Sequence, residues 1–404
     1  MAVRCVLNNL VLQVIFLLST VIIVSGALLP PKTFDVVKYG AISDGKTDNT
    51  QAFVNAWNDA CKYGGRSRVW IPRGTFLLGS VTFEGWCNGS MAVLIKGTLK
   101  ARADSAGHLF SDYWIGFRYL TNLAVKGGGI LDGQGHSAWP YNDCRKNNQC
   151  KPLPATLRFD FIRNSRVYNL RSVDSKSTHF DIFACENLNI RKIRMRAPQD
   201  SPNTDGIRIG SSTHINISNA RISTGDDCIS MVSGSRNIDI SDVTCGPGHG
   251  ISIGSLGRSH AHEYVEGISV RNCSFIGSEN GVRIKTWAPS SYGVASDIVF
   301  QDILMQNPGN PIIIDQQYCP YPNCYSQVDS SSAVQIKDVT FKNISGISSS
   351  KIAVKLICSG SMPCRNIKLI DIDLAYDGPG GPATSLCSNV IGSSYGKLVP
   401  AGCL

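Results

Sequence analysis

The chain has 404 residues, with 43% hydrophobic residues, 17% charged residues and 39 glycines, a composition that excludes an intrinsically disordered protein. The formal net charge of +9 directs attention to anionic partners: nucleic acid, an anionic membrane surface or an acidic polymer. No run of five or more Lys and Arg occurs and no recognition-helix or RNA-binding motif stands out, which sets nucleic acid aside.

At the start, Arg4 precedes an apolar run over residues 10–24, broken only by Gln13, Ser19 and Thr20, and the small residues Ser25, Gly26 and Ala27 follow. That order of charge, apolar stretch and small-residue exit is the layout of a secretory signal peptide. It predicts removal of residues 1–26 and a single mature domain over 27–404. The run is near the lower length limit for a membrane span, but the small-residue exit suits cleavage. Nothing later is long and apolar enough to span a bilayer, so no membrane attachment is expected after removal.

Cysteine usage points the same way. With Cys5 in the removed segment, 14 of the 15 cysteines remain, an even number suited to an oxidising compartment. Expected pairs are Cys61 with Cys87, Cys144 with Cys150, Cys228 with Cys245, Cys319 with Cys324, Cys358 with Cys364, and Cys387 with Cys403. Cys185 and Cys273 lie in strand-like runs without an obvious partner and are expected to be free and buried. There are no clustered C-x-x-C pairs, which argues against a zinc site. Four N-x-S/T sequons, at Asn88, Asn216, Asn272 and Asn343, fit secretion.

Residues 34–39 read as a strand and 40–46 as a turn. Asp48 followed by Gln51 resembles a capping box, and Phe53, Ala56, Trp57, Ala60 and Cys61 then recur at helical spacing. This single helix is placed to cover the open end of a stack of strands. From Val69 onward the pattern is short alternating strands ended by Gly, Asn, Asp or Ser. The glycines over 127–135 lack the Gly-Lys-Ser/Thr ending of a phosphate loop and open no helix.

An internal repeat follows. Runs of the form x-I-x-I begin near Leu157, Phe180, Gly206, Cys228, Gly250, Gly281, Pro311 and Ala353, a unit near 22 residues that takes insertions at its turns. Most units carry a second run, such as HINISNARI or RNIDISDVTC, with an Asn or Asp beside the apolar pair. Short strands at one period, with turns and no crossover helices, predict an all-β, single-domain right-handed parallel β-helix with a short N-terminal capping helix. A sandwich or barrel also has many short strands, but would not keep one period while inserting at turns.

Residues 203–285 hold the chemistry. Asp205 to Asp227 and Asp227 to His249 are each 22 residues apart, so the three stack in a column on coils spaced ~4.8 Å. Alternation turns Ile207, Ile229, Ile251 and Val282 into the coil and Arg208, Ser230, Ser252, Arg283 and Lys285 outward. Asp226 shares the outward parity. Crowded carboxylates cannot all stay ionised cheaply, so one pKa should be raised. A protonated acid beside an ionised base is what glycoside hydrolysis uses, and the two cations suit an anionic substrate. Any one Asp of a solenoid is more simply a turn cap; the combined set is not.

The motifs NTD from Asn203, GDD from Gly225, GHG from Gly248 and RIK from Arg283 resemble the four signature motifs of polygalacturonases, glycoside hydrolase family 28. The resemblance runs from FDVVKYGA at Phe34, through GQG at Gly133, to the C-terminal cysteines. In GDDCIS, CGPGHGISIGSLG and NGVRIKTW it is similar to plant exopolygalacturonases of the pollen type. It implies a secreted, cell-wall hydrolase of α-1,4-galacturonan that works with inversion and removes galacturonate from the non-reducing end of homogalacturonan. It implies no cofactor and no required metal, and a monomer is expected. Asp226 would be the general acid, Asp205 and Asp227 would hold and activate water, and His249 would support the acid. Arg283 and Lys285 would bind a galacturonate carboxylate, with Asn203 and Tyr318 as further substrate contacts. Inversion would set Asp226 ~6.5–9.5 Å from the base carboxylates. An endo-acting enzyme, a pectate lyase and a non-catalytic pectin-binding wall protein are the alternatives. His260 and His262 form H-x-H in a turn; His108, His136, His179 and His214 are isolated and take no role.

Overall fold

The computed structural model describes residues 30–103, 112–142, 152–259, 261–320 and 331–404. The expected signal peptide, the Cys144–Cys150 pair, Cys324, His108 and His260 lie outside these residues.

The described chain winds as a right-handed parallel β-helix. One face is an 11-stranded sheet of mostly short strands, and the remaining wall is a 17-stranded sheet. From Ala155 on, each coil contributes one strand to the first sheet and one long strand to the second, whereas the coils before it place mostly paired short strands in the second. Ile207–Gly210 pairs with Phe180–Phe183 below and Ile229–Met231 above, while Thr213–Ser223 pairs with Glu186–Arg196 and Ser235–Cys245. All of these pairings are parallel, as a solenoid requires.

The register explains the repeat. Ile207, Ile229, Ile251, Val282, Ile312 and Val354 follow one another coil by coil and are all buried. On the other sheet Ile215, Ile238, Ile268, Ile298, Val339 and Ile367 form a second buried column. Stacked β-branched side chains suit the pleated surface and lose little rotamer freedom there.

The Asn and Asp beside the apolar pairs have a different job from capping. The long strands bend where Asn169, Lys192, Asn219, Asp242, Asn272, Asp302, Asn343 and Asp371 take left-handed conformations, with φ between 50° and 56°. Asn and Asp enter that region more readily than other side chains. Their amides also tie coils together: Asn272 donates to Asp242 and Asn343 to Asp302, at 2.5 and 2.6 Å.

One α-helix occurs among the described residues, Thr50–Lys62, burying Ala52, Phe53, Ala56, Trp57 and Ala60. It packs against the strands Lys32–Asp35, Ser67–Ile71 and Val81–Glu84, and so closes the N-terminal end of the stack. Its N-cap is Asn49, and Asp48 Oδ1 accepts from Thr50 N at 2.8 Å instead of from Gln51. The expected capping box is therefore an Asp turn one residue earlier. The expected strand over 34–39 likewise splits into the strand Lys32–Asp35 and the single turn Val36–Tyr39.

Four disulfides form as expected among the described residues: Cys61–Cys87, Cys228–Cys245, Cys358–Cys364 and Cys387–Cys403. Cys228–Cys245 matters for the site, because it anchors the turn directly after Asp227 to the end of its own coil. Cys185 and Cys273 are free and buried, and burial pushes both thiols up to about 12, which makes them inert at neutral pH. No helix among the described residues is long and apolar enough to cross a membrane.

Candidate active site

The site sits on the 11-stranded sheet. Asp205, Asp227 and His249 each precede their strand by two residues, and those strands are in register, so the predicted column exists. Backbone bonds hold it: Gly206 N donates to Asp227 O, and Asn280 Nδ2 donates to His249 O at 3.1 Å. Asn280 continues the column, with Asn310 Nδ2 donating to Asn280 Oδ1 at 3.0 Å. Asp226, one residue before Asp227, takes two bonds on Oδ1, from Asp227 N at 2.7 Å and from His249 Nδ1 at 3.1 Å.

Arg283 and Lys285 face outward on their strand, yet only 7% and 6% of each is exposed. Asp227 is the reason. Its Oδ1 accepts from Ser252 Oγ at 2.8 Å and Arg283 at 2.6 Å, and its Oδ2 accepts from Lys285 Nζ at 2.7 Å. Arg283 Nε also donates to Ser252 at 2.9 Å, so one serine and two cations clamp one carboxylate. Among the described residues Asp205 has a single side-chain hydrogen-bond partner, Ser230, at 3.0 Å.

These contacts split the carboxyls electrostatically. Burial would raise Asp227, but the adjacent Lys285 and Arg283 outweigh it and bring the pKa down to about 2. Asp205 has no such clamp. Burial, then the charges of Asp226 and Asp227, push its pKa well above the usual carboxylate range. The raised group expected from crowding is therefore Asp205. Burial works against a charged His249, but the Asp226 hydrogen bond and charge, with Glu279 and Asp227, raise its pKa overall. A protonated His249 donates Nδ1–H to Asp226 and reaches Glu279 with Nε2 at 3.2 Å.

Open valences show where a ligand can bind. A carboxylate has about four lone-pair sites, and three on Asp227 are filled, leaving one on Oδ2. Asp226 Oδ2 and Asp205 Oδ1 have no hydrogen-bond partner among the described residues. Arg283 and Lys285 keep donors beyond those given to Asp227 and Ser252. Asp226, Asp227 and His249 also present oxygen and nitrogen atoms within 4.8 Å of one another, a spacing a metal ion can use. The donor set fits poorly, because Asp227 is already neutralised by two buried cations that would repel a divalent ion. The same spacing brings an oxygen of Asp226 nearer to one of Asp227 than the ~6.5–9.5 Å of inverting carboxyl pairs. Asp226 and Asp227 are consecutive in the chain, and the backbone brings their carboxyls together.

Tyr318 belongs to this group: Lys285 Nζ lies 5.2 Å from its ring, which packs edge-on against Trp287. Asn203 does not. It is exposed, in a left-handed conformation, and its Oδ1 accepts from Asn142 at 3.3 Å. His179 is fully buried against Ser172 and pushed down to about 3 by burial, a structural imidazole. Ser230, Ser252 and Glu279 were not singled out as functional. The two serines carried a usable signal, outward parity on the strands that follow Asp205 and Asp227. Glu279 carried only its position beside the column residue Asn280, and it lines a 540 Å³ depression next to His249.

A parallel β-helix that crowds three carboxyls, an imidazole and two clamped cations onto one sheet is the architecture of a polysaccharide-cleaving solenoid, and residues 61–398 match the model of glycosyl hydrolases family 28. The chain belongs to that family. It is 49% identical to an exopolygalacturonase of Oenothera organensis, covering 88% of this chain and 98% of the relative. It is 47% identical to an exopolygalacturonase of Platanus acerifolia, covering 91% and 97%. The crystal structure of an exopolygalacturonase from Thermotoga maritima superposes with a TM-score of 0.70 at 21% identity, covering 90% of this chain and 92% of that one, a likeness of fold.

Proposed function

We propose that the protein is a secreted exopolygalacturonase, which hydrolyses the α-1,4 bonds of pectate with inversion and releases galacturonate from the non-reducing end. The observation that carries this reading is the pair of open carboxyl oxygens, on Asp226 and Asp205, beside cations that retain free donors. The exo mode is supported by relatives named exopolygalacturonases at 47–49% identity over nearly their full length.

In this mechanism Asp226 is the general acid. Its Oδ2 is open to the glycosidic oxygen while Oδ1 is held by Asp227 N and His249. The attacking water sits between Asp205 Oδ1 and the remaining lone pair of Asp227. Burial and the charges of its neighbours favour a proton on Asp205 in the free site, whereas turnover needs Asp205 ionised and Asp226 as the proton donor. Arg283 and Lys285 hold a galacturonate carboxylate, Arg by its planar fork and Lys as a point charge. Removal of residues 1–26, a monomeric state and cell-wall location complete the proposal, supported by the N-terminal pattern and by disulfides suited to an oxidising compartment.

Products sampled early from de-esterified polygalacturonic acid test the mode. Monogalacturonate alone, with viscosity falling slowly, is expected. Mixed oligomers with rapid viscosity loss would make the enzyme endo-acting, and unsaturated products absorbing in the ultraviolet would make it a lyase.

A further inference from the structure

The 17-stranded sheet carries a feature that the catalytic site does not use. Arg171, Arg194 and Arg221 occupy the same position on three consecutive parallel strands, so their guanidiniums stand one above another at a rise of ~4.8 Å. All three are exposed, and none has a carboxylate partner among the described residues. Like charges in register on adjacent strands repel, so the fold tolerates this ladder without gaining from it.

The ladder forms one side of a groove of about 670 Å³. It is also lined by the exposed left-handed bend residues Asn169, Lys192, Asn219 and Asp242, with the buried Leu170, Ile193 and Ala220 between them and the arginines in sequence. Lys192 is the exception in that row. Through eight successive coils the other seven bend positions are Asn or Asp, which enter the left-handed region readily. A lysine held there at φ 54° adds a fourth cation to the groove at a conformational cost, and an unfavourable backbone of this kind is a pointer to function. The single acidic lining residue, Asp242, stands at one end and already accepts from Asn272.

We propose that this groove is a second, non-catalytic binding site for an acidic polysaccharide chain, lying along the axis of the β-helix and outside the cleft. The commitment to galacturonan rests on the function proposed above; the preference for a linear polyuronate comes from the groove. Its cations repeat once per coil, as a polymer with one carboxylate per unit requires, and Arg forks match carboxylates two bonds at a time. Asn169, Asn219 and Thr244 add hydrogen-bonding groups suited to hydroxyls. No aromatic residue lines the groove, so single-stranded nucleic acid would lack the stacking surface it uses. The face is concave, where a membrane surface would want a flat or convex one.

The test uses Arg171→Gln/Arg194→Gln/Arg221→Gln, with Lys192→Asn as a second variant. Retention by long de-esterified polygalacturonate is measured in an Asp226→Asn background, to prevent turnover, with excess trigalacturonate filling the cleft. The triple variant is expected to bind the polymer about tenfold more weakly at low salt, since exposed ion pairs are individually weak, and the difference should fade as salt rises. With Asp226 restored, it should hydrolyse trigalacturonate at the wild-type kcat/KM. Lys192→Asn should keep or raise the melting temperature while weakening polymer binding. Undiminished polymer binding by the triple variant overturns the proposal, as does equal loss on fully methyl-esterified pectin. Tighter, arginine-dependent capture of DNA overturns it in favour of a nucleic-acid surface. Failure of the wild type to cleave trigalacturonate would strike the proposed activity instead, and leaves the polymer-binding result to be read separately.

Discussion

Asp226→Asn should lower kcat on trigalacturonate by about 10²–10⁴-fold, the contribution of a positioned proton donor, with KM nearly unchanged. Asn keeps the shape of the side chain and an oxygen to accept from Asp227 N and His249, the two bonds that fix Asp226 Oδ1. What it lacks is a dissociable proton on the outer atom, which faces no protein partner. Initial rates together with calorimetric binding of trigalacturonate separate the two effects. A kcat within a few fold of wild type would move the acid elsewhere, and Asp205, with its raised pKa, would be the first candidate.

Asp227→Ala should cost about 3–5 kcal/mol of stability as well as activity, the range seen when one partner of a buried ion pair is removed. Two cations lose their counter-charge at once. Arg283 retains Ser252, while Lys285 keeps the Tyr318 ring and, among the described residues, no other charge within bonding distance. Asp227→Asn should lose less, because it still offers an acceptor. The effect has a defined pH window. The folded pKa is lowered to about 2, against ~3.9 in the unfolded chain. Its stabilisation is therefore fully present above the unfolded value and is lost as the pH falls through the folded one. Urea midpoints of wild type and Asp227→Ala should differ most near neutrality and converge toward pH 2. Asp205 works in the opposite direction: its raised pKa makes the ionised form a burden at neutral pH, relieved as acid protonates it. A constant gap between the two proteins over the whole range would mean that the clamp is not what Asp227 contributes.

The column of Asp205, Asp227 and His249 could be read from spacing because a solenoid converts a fixed sequence interval into a fixed vertical position. Disulfide partners were legible for a related reason, since the loops they close lie within one coil or between neighbours. Outward parity placed Arg283 and Lys285 on the correct face but not their burial. Alternation reports direction relative to the coil interior; whether a neighbouring side chain then closes over the residue depends on three coils meeting at Asp227. The identity of the raised carboxyl was hidden in the same way. Crowding predicts that one of three must rise, while the choice rests on which receives the cations, and those lie 56 and 58 residues further on. The Asn and Asp beside the apolar pairs were visible as a pattern, yet their role at left-handed bends needed the backbone. Lys192, the one departure among them, gave no signal until the bends were aligned.

Proton nuclear magnetic resonance of the first sugar released from trigalacturonate is the most direct test of the site as a whole. In the proposed roles Asp226 and a water held by Asp205 and Asp227 would act on opposite faces of the bond, so the α-linked substrate should yield β-galacturonate first, with the α-anomer growing in only by mutarotation. Initial release of the α-anomer would mean a covalent intermediate and a carboxyl acting as nucleophile, and would contradict the assigned roles.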